Sequence, residues 1–302
     1  MTSYVALAAV VIAVLGAPYV VSDFWLFMAV EVFVFALYAL SLNLLLGYGG
    51  MLSCGHPAFF GIGAYAIALL VKKAGVSLPL AFALAPVAAA VAAGLIGYFC
   101  VRRTGIYFAM LTFAFQMLAY TVALKSRALT GGDDGITGLR APGILGQPRG
   151  YYYFAALLVG VAIFLIYRIV NSPFGYAARA MRANPTRTDY LGINVLLHRW
   201  LLFILGGFFA GVAGALFALS TGSVFPGWLN WTASAAPIVM TVLGGIHTFA
   251  GPIVGALVYV SLETIITGYT EYWPMIIGGI ILVLVIALPN GLTSLRLFHG
   301  RE

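Results

Sequence analysis

Charge is what this sequence has least of. Of 302 residues, 8% are Asp, Glu, Lys or Arg and 63% are hydrophobic, whereas a soluble domain carries about 25% charged residues. That is too little charge to cover a water-facing surface. The mean hydropathy of +1.06 comes from apolar stretches along the whole length, so no soluble catalytic module is left over. Lysine is scarcer still. Lys72, Lys73 and Lys125 are the only three, and none follows a G-x-x-x-x-G run, which excludes the phosphate loop of a P-loop ATPase. The four histidines (His56, His198, His247, His299) have no partner four residues away, so the H-E-x-x-H zinc signature is missing too. Cys54 and Cys100 form no C-x-x-C pair and read as small core residues. Asp133 and Asp134 sit in TGGDDG, whose glycines suit a turn with positive φ better than a cation cage. Nothing here binds a metal or cofactor on this chain.

What the sequence has in abundance is membrane-length apolar sequence. Ten segments follow one another: 4–22, 24–47, 51–71, 78–101, 105–124, 151–170, 199–221, 233–246, 251–268 and 272–290. Most approach the ~20 residues needed to cross a 30 Å hydrocarbon core. Segment 4–22 is too long for a signal-peptide core and has no basic residue before it, so it reads as the first span. Segment 233–246 is short and reads as a half-helix or re-entrant piece. The fold class is all-α integral membrane, a polytopic bundle of about ten segments forming one transmembrane domain over 1–302. Gly207, Gly211 and Ala215, spaced by four, are expected to let helix backbones approach closely.

Basic residues orient the bundle, because cytoplasmic loops accumulate Lys and Arg. The most basic stretch, 171–198, goes inside with Arg102, Arg103, Arg296 and Arg301, which places both termini in the cytoplasm. Nine of the fifteen cations then lie inside and six outside, and four of the five tryptophans (Trp25, Trp228, Trp231, Trp273) fall at the outer interface. The +7 net charge is therefore a topology signal and not a mark of nucleic-acid binding.

Segment 171–198 reads NSPFGYAARAMRANPTRTDYLGINVLLH. Ser172-Pro173 and Asn184-Pro185 each read as an N-cap followed by proline at the first helical position, and Gly192 suits a left-handed C-cap. Two short helices are expected, forming an elbow whose mixed apolar and basic faces suit docking onto a partner. The competing reading is an amphipathic helix resting on lipid headgroups.

Four stretches together carry a resemblance that runs from about residue 36 to 295: LNLLLGYGGMLSCGHPAFFGIGAY (42–65), RRTGIYFAMLTFAF (102–115), residues 172–194, and VLGGIHTFAGPIVGA (242–256). They resemble the LivM-type permease subunits of ATP-binding-cassette (ABC) importers for branched-chain amino acids, which reside in the bacterial inner membrane. The resemblance implies a second, homologous permease subunit, two cytoplasmic ATPase subunits that bind ATP and Mg, and a periplasmic substrate-binding protein. It maps the ATPase-coupling element onto Phe174, Gly175, Arg179, Arg182, Asn184, Leu191 and Gly192. The family's acidic-Asn-acidic triplet is replaced here by Ala183-Asn184-Pro185, so those two acidic contacts are absent or supplied elsewhere, for example by Asp189.

Gly/Pro-interrupted segments in corresponding positions of two halves point to a transport pathway. Gly49-Gly50 with Gly55-His56-Pro57, and Gly244-Gly245 with Gly251-Pro252, fit that description and indicate an internal repeat with broken helices. Ser53, Gly55, His56, Gly245 and Glu263 are the pathway candidates. His56 is read either as a substrate contact or as a histidine held by a neighbouring carbonyl. Glu31 and Glu263 are carboxylates inside apolar spans, where burial is costly. Glu31 lies near a span end and is read as reaching the headgroups, whereas Glu263 lies deeper. Two other assignments compete with amino-acid import: an ABC permease for urea, short amides or aromatic acids, and an ion-coupled secondary transporter. The second gives no reason for a docking elbow. An intramembrane enzyme has neither paired catalytic acids nor a nucleophile with a nearby base to work with.

Overall fold

The computed structural model describes residues 16, 18–19, 21–139, 141–270, 272–288 and 291–294. The span read at 4–22 and the C-terminal arginines lie largely outside the described residues. Each of the nine segments from residue 24 onward contains a helix. In chain order these are α1 (Asp23–Asn43), continued by a π-helical turn (Leu44–Tyr48), α2 (His56–Lys72), α3 (Leu78–Cys100) and α4 (Ile106–Lys125). A short α5 (Arg127–Thr130) leads to α6 (Pro148–Val170). Next come α7 (Pro173–Ala183), α8 (Pro185–Tyr190), α9 (Val195–Thr221), α10 (Ala235–Gly244), α11 (Gly251–Thr267) and α12 (Trp273–Ala287). Five of these helices, those over Asp23–Tyr48, Leu78–Cys100, Ile106–Lys125, Pro148–Val170 and Val195–Thr221, are long and apolar enough to cross a membrane. The architecture is an all-α polytopic membrane bundle.

Packing centres on α9, the most enclosed of the five long helices. Its small residues face two neighbours at once. Gly207 and Gly211 lie against Ala93 and Ala89 of α3, and Gly214 lies against the Phe60 backbone of α2. In lipid no hydrophobic force drives helices together, so close backbone approach at small residues supplies the van der Waals contact instead. The packing expected for the Gly207/Gly211 spacing is what the bundle shows. An aromatic cluster of Phe35, Tyr38, Phe60, Phe217 and Trp228 fills the space between α1, α2 and α9. Trp228 is thus packed into the bundle, while Trp25 and Trp231 are exposed.

The two ends of the bundle differ. At one end α7 and α8 form the elbow. At the other, a two-residue ribbon pairs Ile136 with Val224 and Thr137 with Ser223. Lys72 donates to Thr137 O, and Lys73 donates to the Ala128 and Leu129 carbonyls, tying α2 to the ribbon end. The Gly131–Gly135 stretch is a turn: Asp133 and Asp134 lie in a 3-10 turn flanked by glycines at positive φ.

The short segment at 233–246 resolves into a 3-10 turn (Trp231–Ser234) and the ten-residue α10. At 1.5 Å per residue α10 is about 15 Å long, half the hydrocarbon thickness. Its start is fixed by Gln116, which lies midway along α4. Gln116 Nε2 donates to Leu229 O (3.1 Å) and Asn230 O (2.9 Å), and Ser234 Oγ donates to Gln116 Oε1 (2.9 Å). The irregular backbone at 226–234 is therefore satisfied by a buried side chain, which is how non-helical chain is tolerated at membrane depth.

Candidate functional site

The elbow forms as its two Pro-led starts predict. Pro173 and Pro185 open α7 and α8, where a missing N–H costs nothing. Asn184 caps α8 through Oδ1, which accepts from Arg187 N at 2.9 Å. Ser172 occupies the cap position of α7, but its hydroxyl donates back to Ile169 O (2.6 Å) and not to the new helix. Gly192 adopts φ +82°, a conformation that turns the chain toward α9 and that a side chain would strain. Asn194 then caps α9 at Leu197 N (2.9 Å).

The elbow's predicted residues divide into two faces. Phe174 stacks on His198 (5.4 Å), and Gly175 is buried against the Val170 carbonyl. Arg179 donates to Val170 O (3.0 Å) and sits over the rings of Tyr48 (5.3 Å) and Tyr176 (5.0 Å). Arg182 reaches farther. Its guanidinium donates to Gly47 O and meets His247 Nδ1 at 3.2 Å. A fork-shaped cation suits this double contact. Outward from the bundle stand Asn184, Tyr190, Leu191 and Gly192, with Tyr190 86% and Leu191 77% exposed.

Arg182 thereby spans both predicted breaks. Gly47 belongs to the π-helical turn, a geometry that leaves carbonyls free of the regular ladder. His247 follows Gly244-Gly245, where Gly245 takes φ +118°. The two breaks also touch directly, since any side chain at Gly47 would collide with Ile246 O. Gly50 leaves room for the stem of Arg182, whose Cγ would be 2.9 Å from an added Cβ. Thr293 Oγ1 donates to Gly244 O (2.8 Å) and bonds Thr248 (2.9 Å), closing the second break from the C-terminal side.

His56 begins α2 just beyond the first break and is fully buried. Ser41 Oγ lies 2.7 Å from Tyr38 O and 2.8 Å from His56 Nε2, so one hydroxyl bridges the helix carbonyl and the imidazole. The imidazole is held by a hydroxyl and by stacking on Tyr38 (5.5 Å), not by a carbonyl. His56 Nδ1, Ser53 Oγ and the carboxamide of Asn43 are buried without a hydrogen-bond partner among the described residues. Gly55 packs against the Thr112 backbone of α4, and Ser234 Oγ also lies 2.7 Å from Cys54 O.

Ser53, Gly55, His56 and Gly245 thus belong to the two breaks. Glu263 does not. It lies twelve residues beyond Gly251, about 18 Å along α11, toward the ribbon end. There it is half-buried and within electrostatic reach of Glu31 on α1 and of Tyr259. Reading the two acids separately missed this pairing. Gln116 was also missed, although a lone carboxamide inside an apolar span is a signal in its own right.

Residues 24–286 match the family described as branched-chain amino acid transport system, permease component. The chain is 28% identical over 313 aligned residues to the high-affinity branched-chain amino acid transport system permease protein LivM of Escherichia coli K12, covering 95% of this chain and 74% of that one. It is 28% identical to the probable LivM permease of Methanocaldococcus jannaschii over 45% of this chain and 41% of the relative. Against the high-affinity branched-chain amino acid transport system permease protein LivH of E. coli K12 it is 29% identical, over 46% and 44%. No solved structure matches. The chain is a transport subunit and not an enzyme, and it belongs to the family of permease components of branched-chain amino acid transport systems.

Proposed function

We propose that this chain is the LivM-type half of an ATP-driven importer that moves branched-chain or other small hydrophobic amino acids across a bacterial inner membrane. Its partners are a second permease of the LivH kind, two ATPase subunits that carry ATP and Mg, and a periplasmic binding protein. The elbow end faces the cytoplasm, with both termini on that side.

The observation that carries this reading is the Arg182 bridge. One elbow residue grips the Gly47 carbonyl of the first break and His247 of the second, so motion imposed on α7 and α8 reaches both at once. The exposed Tyr190–Leu191 knob and Asn184 receive the ATPase, whereas Arg179 and Arg182 carry the movement inward. ATP binding closes the ATPases, the elbow tilts as a lever, and the breaks around Ser53, Gly55, His56 and Gly245 open and close the pathway. In this division of labour the loss of the acidic triplet at Ala183-Asn184-Pro185 is tolerated, because the inward grip on the bundle does not use it.

The test is reconstitution of the chain with its partner permease, ATPase and binding protein. Substrate-loaded binding protein is expected to stimulate ATP hydrolysis, with leucine, isoleucine or valine effective and urea ineffective. Stimulation by urea or an aromatic acid alone overturns the substrate class. Absence of any stimulation overturns the importer assignment.

A further inference from the structure

Apart from the elbow and the breaks, one feature of the bundle has a ligand-like shape. A groove of about 580 Å³ runs along the outside of the bundle between α3 and α9, lined by Val87, Val91, Leu95, Phe99, Ile204 and Phe208. Its floor is made at Gly94, where Trp200 Nε1 donates to the Gly94 carbonyl (2.8 Å) and an added Cβ would meet nothing closer than Ile204 at 3.6 Å. Hence the groove comes from a missing side chain beside a bridging indole, and its lining is apolar and exposed at Val91, Leu95 and Phe99.

The elbow end of this groove is cationic. Arg102 lies over the Tyr98 ring at 4.4 Å, and Arg103 follows it. Arg102 therefore stands at the mouth of an apolar slot lined in part by Tyr98, with Arg103 next to it in the chain and the indole of Trp200, of the kind that marks a membrane interface, in the lining.

We infer that this groove binds an anionic phospholipid of the leaflet at the elbow end, with one acyl chain in the α3–α9 slot and the phosphate at Arg102 and Arg103. Arginine forks match phosphate oxygens, and the lipid-side opening admits an acyl chain without rearrangement. The inference rests on the membrane placement of the bundle and is independent of what the chain transports.

Native mass spectrometry of the full chain, extracted from vesicles of equal phosphatidylglycerol and phosphatidylcholine, reads the result directly. Phosphatidylglycerol is expected to be retained in excess, by about fivefold for each arginine engaged. The double variant Arg102→Gln with Arg103→Gln should reduce that preference toward parity. Val91→Trp fills the slot from the lipid side, without touching the core, and should lower retention of both lipids. Equal retention of the two lipids by the unaltered chain overturns the inference. So does retention unchanged in both variants, and so does a co-purifying permease subunit seated on α3 and α9 in place of lipid.

Discussion

Replacing Arg182 by alanine removes two of the contacts that join the elbow to the breaks, one to Gly47 O and one to His247 Nδ1. A hydrogen bond to a charged group contributes about 1.5–3 kcal/mol net, but this guanidinium is largely exposed, and exposure weakens each contact. Together they amount to about 1–3 kcal/mol, the usual size of a coupling free energy between sites, equivalent to ~5–150-fold in the linked equilibrium. The expected outcome is a chain that inserts and assembles normally while the ratio of substrate-stimulated to basal ATP hydrolysis falls toward one. Arg182→Lys, a point charge that cannot fork, should be intermediate, and His247→Ala should lose only one of the two contacts. The double variant Arg182→Ala with His247→Ala should be no worse than Arg182→Ala alone, because residues in one network are non-additive. Unchanged stimulation in Arg182→Ala, or strictly additive losses in the double variant, refutes the bridge as the coupling element.

Other consequences can be checked on the same preparation. Gly50→Val adds a Cβ at φ +66° against the Arg182 stem; at a backbone cost of about 1–2 kcal/mol, stimulation should fall while insertion, read by glycosylation-tag mapping, stays normal. Gln116→Leu leaves the Leu229 and Asn230 carbonyls without their shared donor, a loss of about 1–3 kcal/mol that a thermal melt of the solubilised chain should register. Leu191→Asp alters an exposed position, so stability should move by less than about 0.5 kcal/mol while pull-down of the ATPase subunit is lost. Gly211→Leu drives a side chain into Ala89 of α3 and should destabilise the bundle by about 1–3 kcal/mol, visible as a lowered melting midpoint.

Elements set by local chemistry were readable in the sequence. The two elbow helices follow from Pro173 and Pro185, the stop at Gly192 from its left-handed φ, and the short α10 from the length of its apolar run. The small-residue spacing of α9 predicted close packing, and Gly207 and Gly211 meet Ala93 and Ala89 accordingly. What the sequence could not show depends on which faces meet. A π-helical turn at Leu44–Tyr48 has no compositional mark distinct from the apolar run around it. Arg179 and Arg182 are placed in the ATPase-coupling element by the family resemblance alone. Their inward direction depends on how α7 lies across Tyr48 and Gly50, which no local pattern encodes. In the same way Glu31 and Glu263 are more than two hundred residues apart, and only the packing of α1 on α11 brings them within reach of each other. The division of the pathway candidates into residues at the breaks and Glu263 at the far end of α11 is likewise a result of tertiary structure.

Uptake of labelled leucine into vesicles holding this chain with its partner permease, ATPase and binding protein tests the central claim most directly. Uptake should require ATP on the elbow side, persist when proton and sodium gradients are collapsed, and stop with Leu191→Asp in the elbow. Uptake that continues without ATP and ends when those gradients are removed would contradict the account.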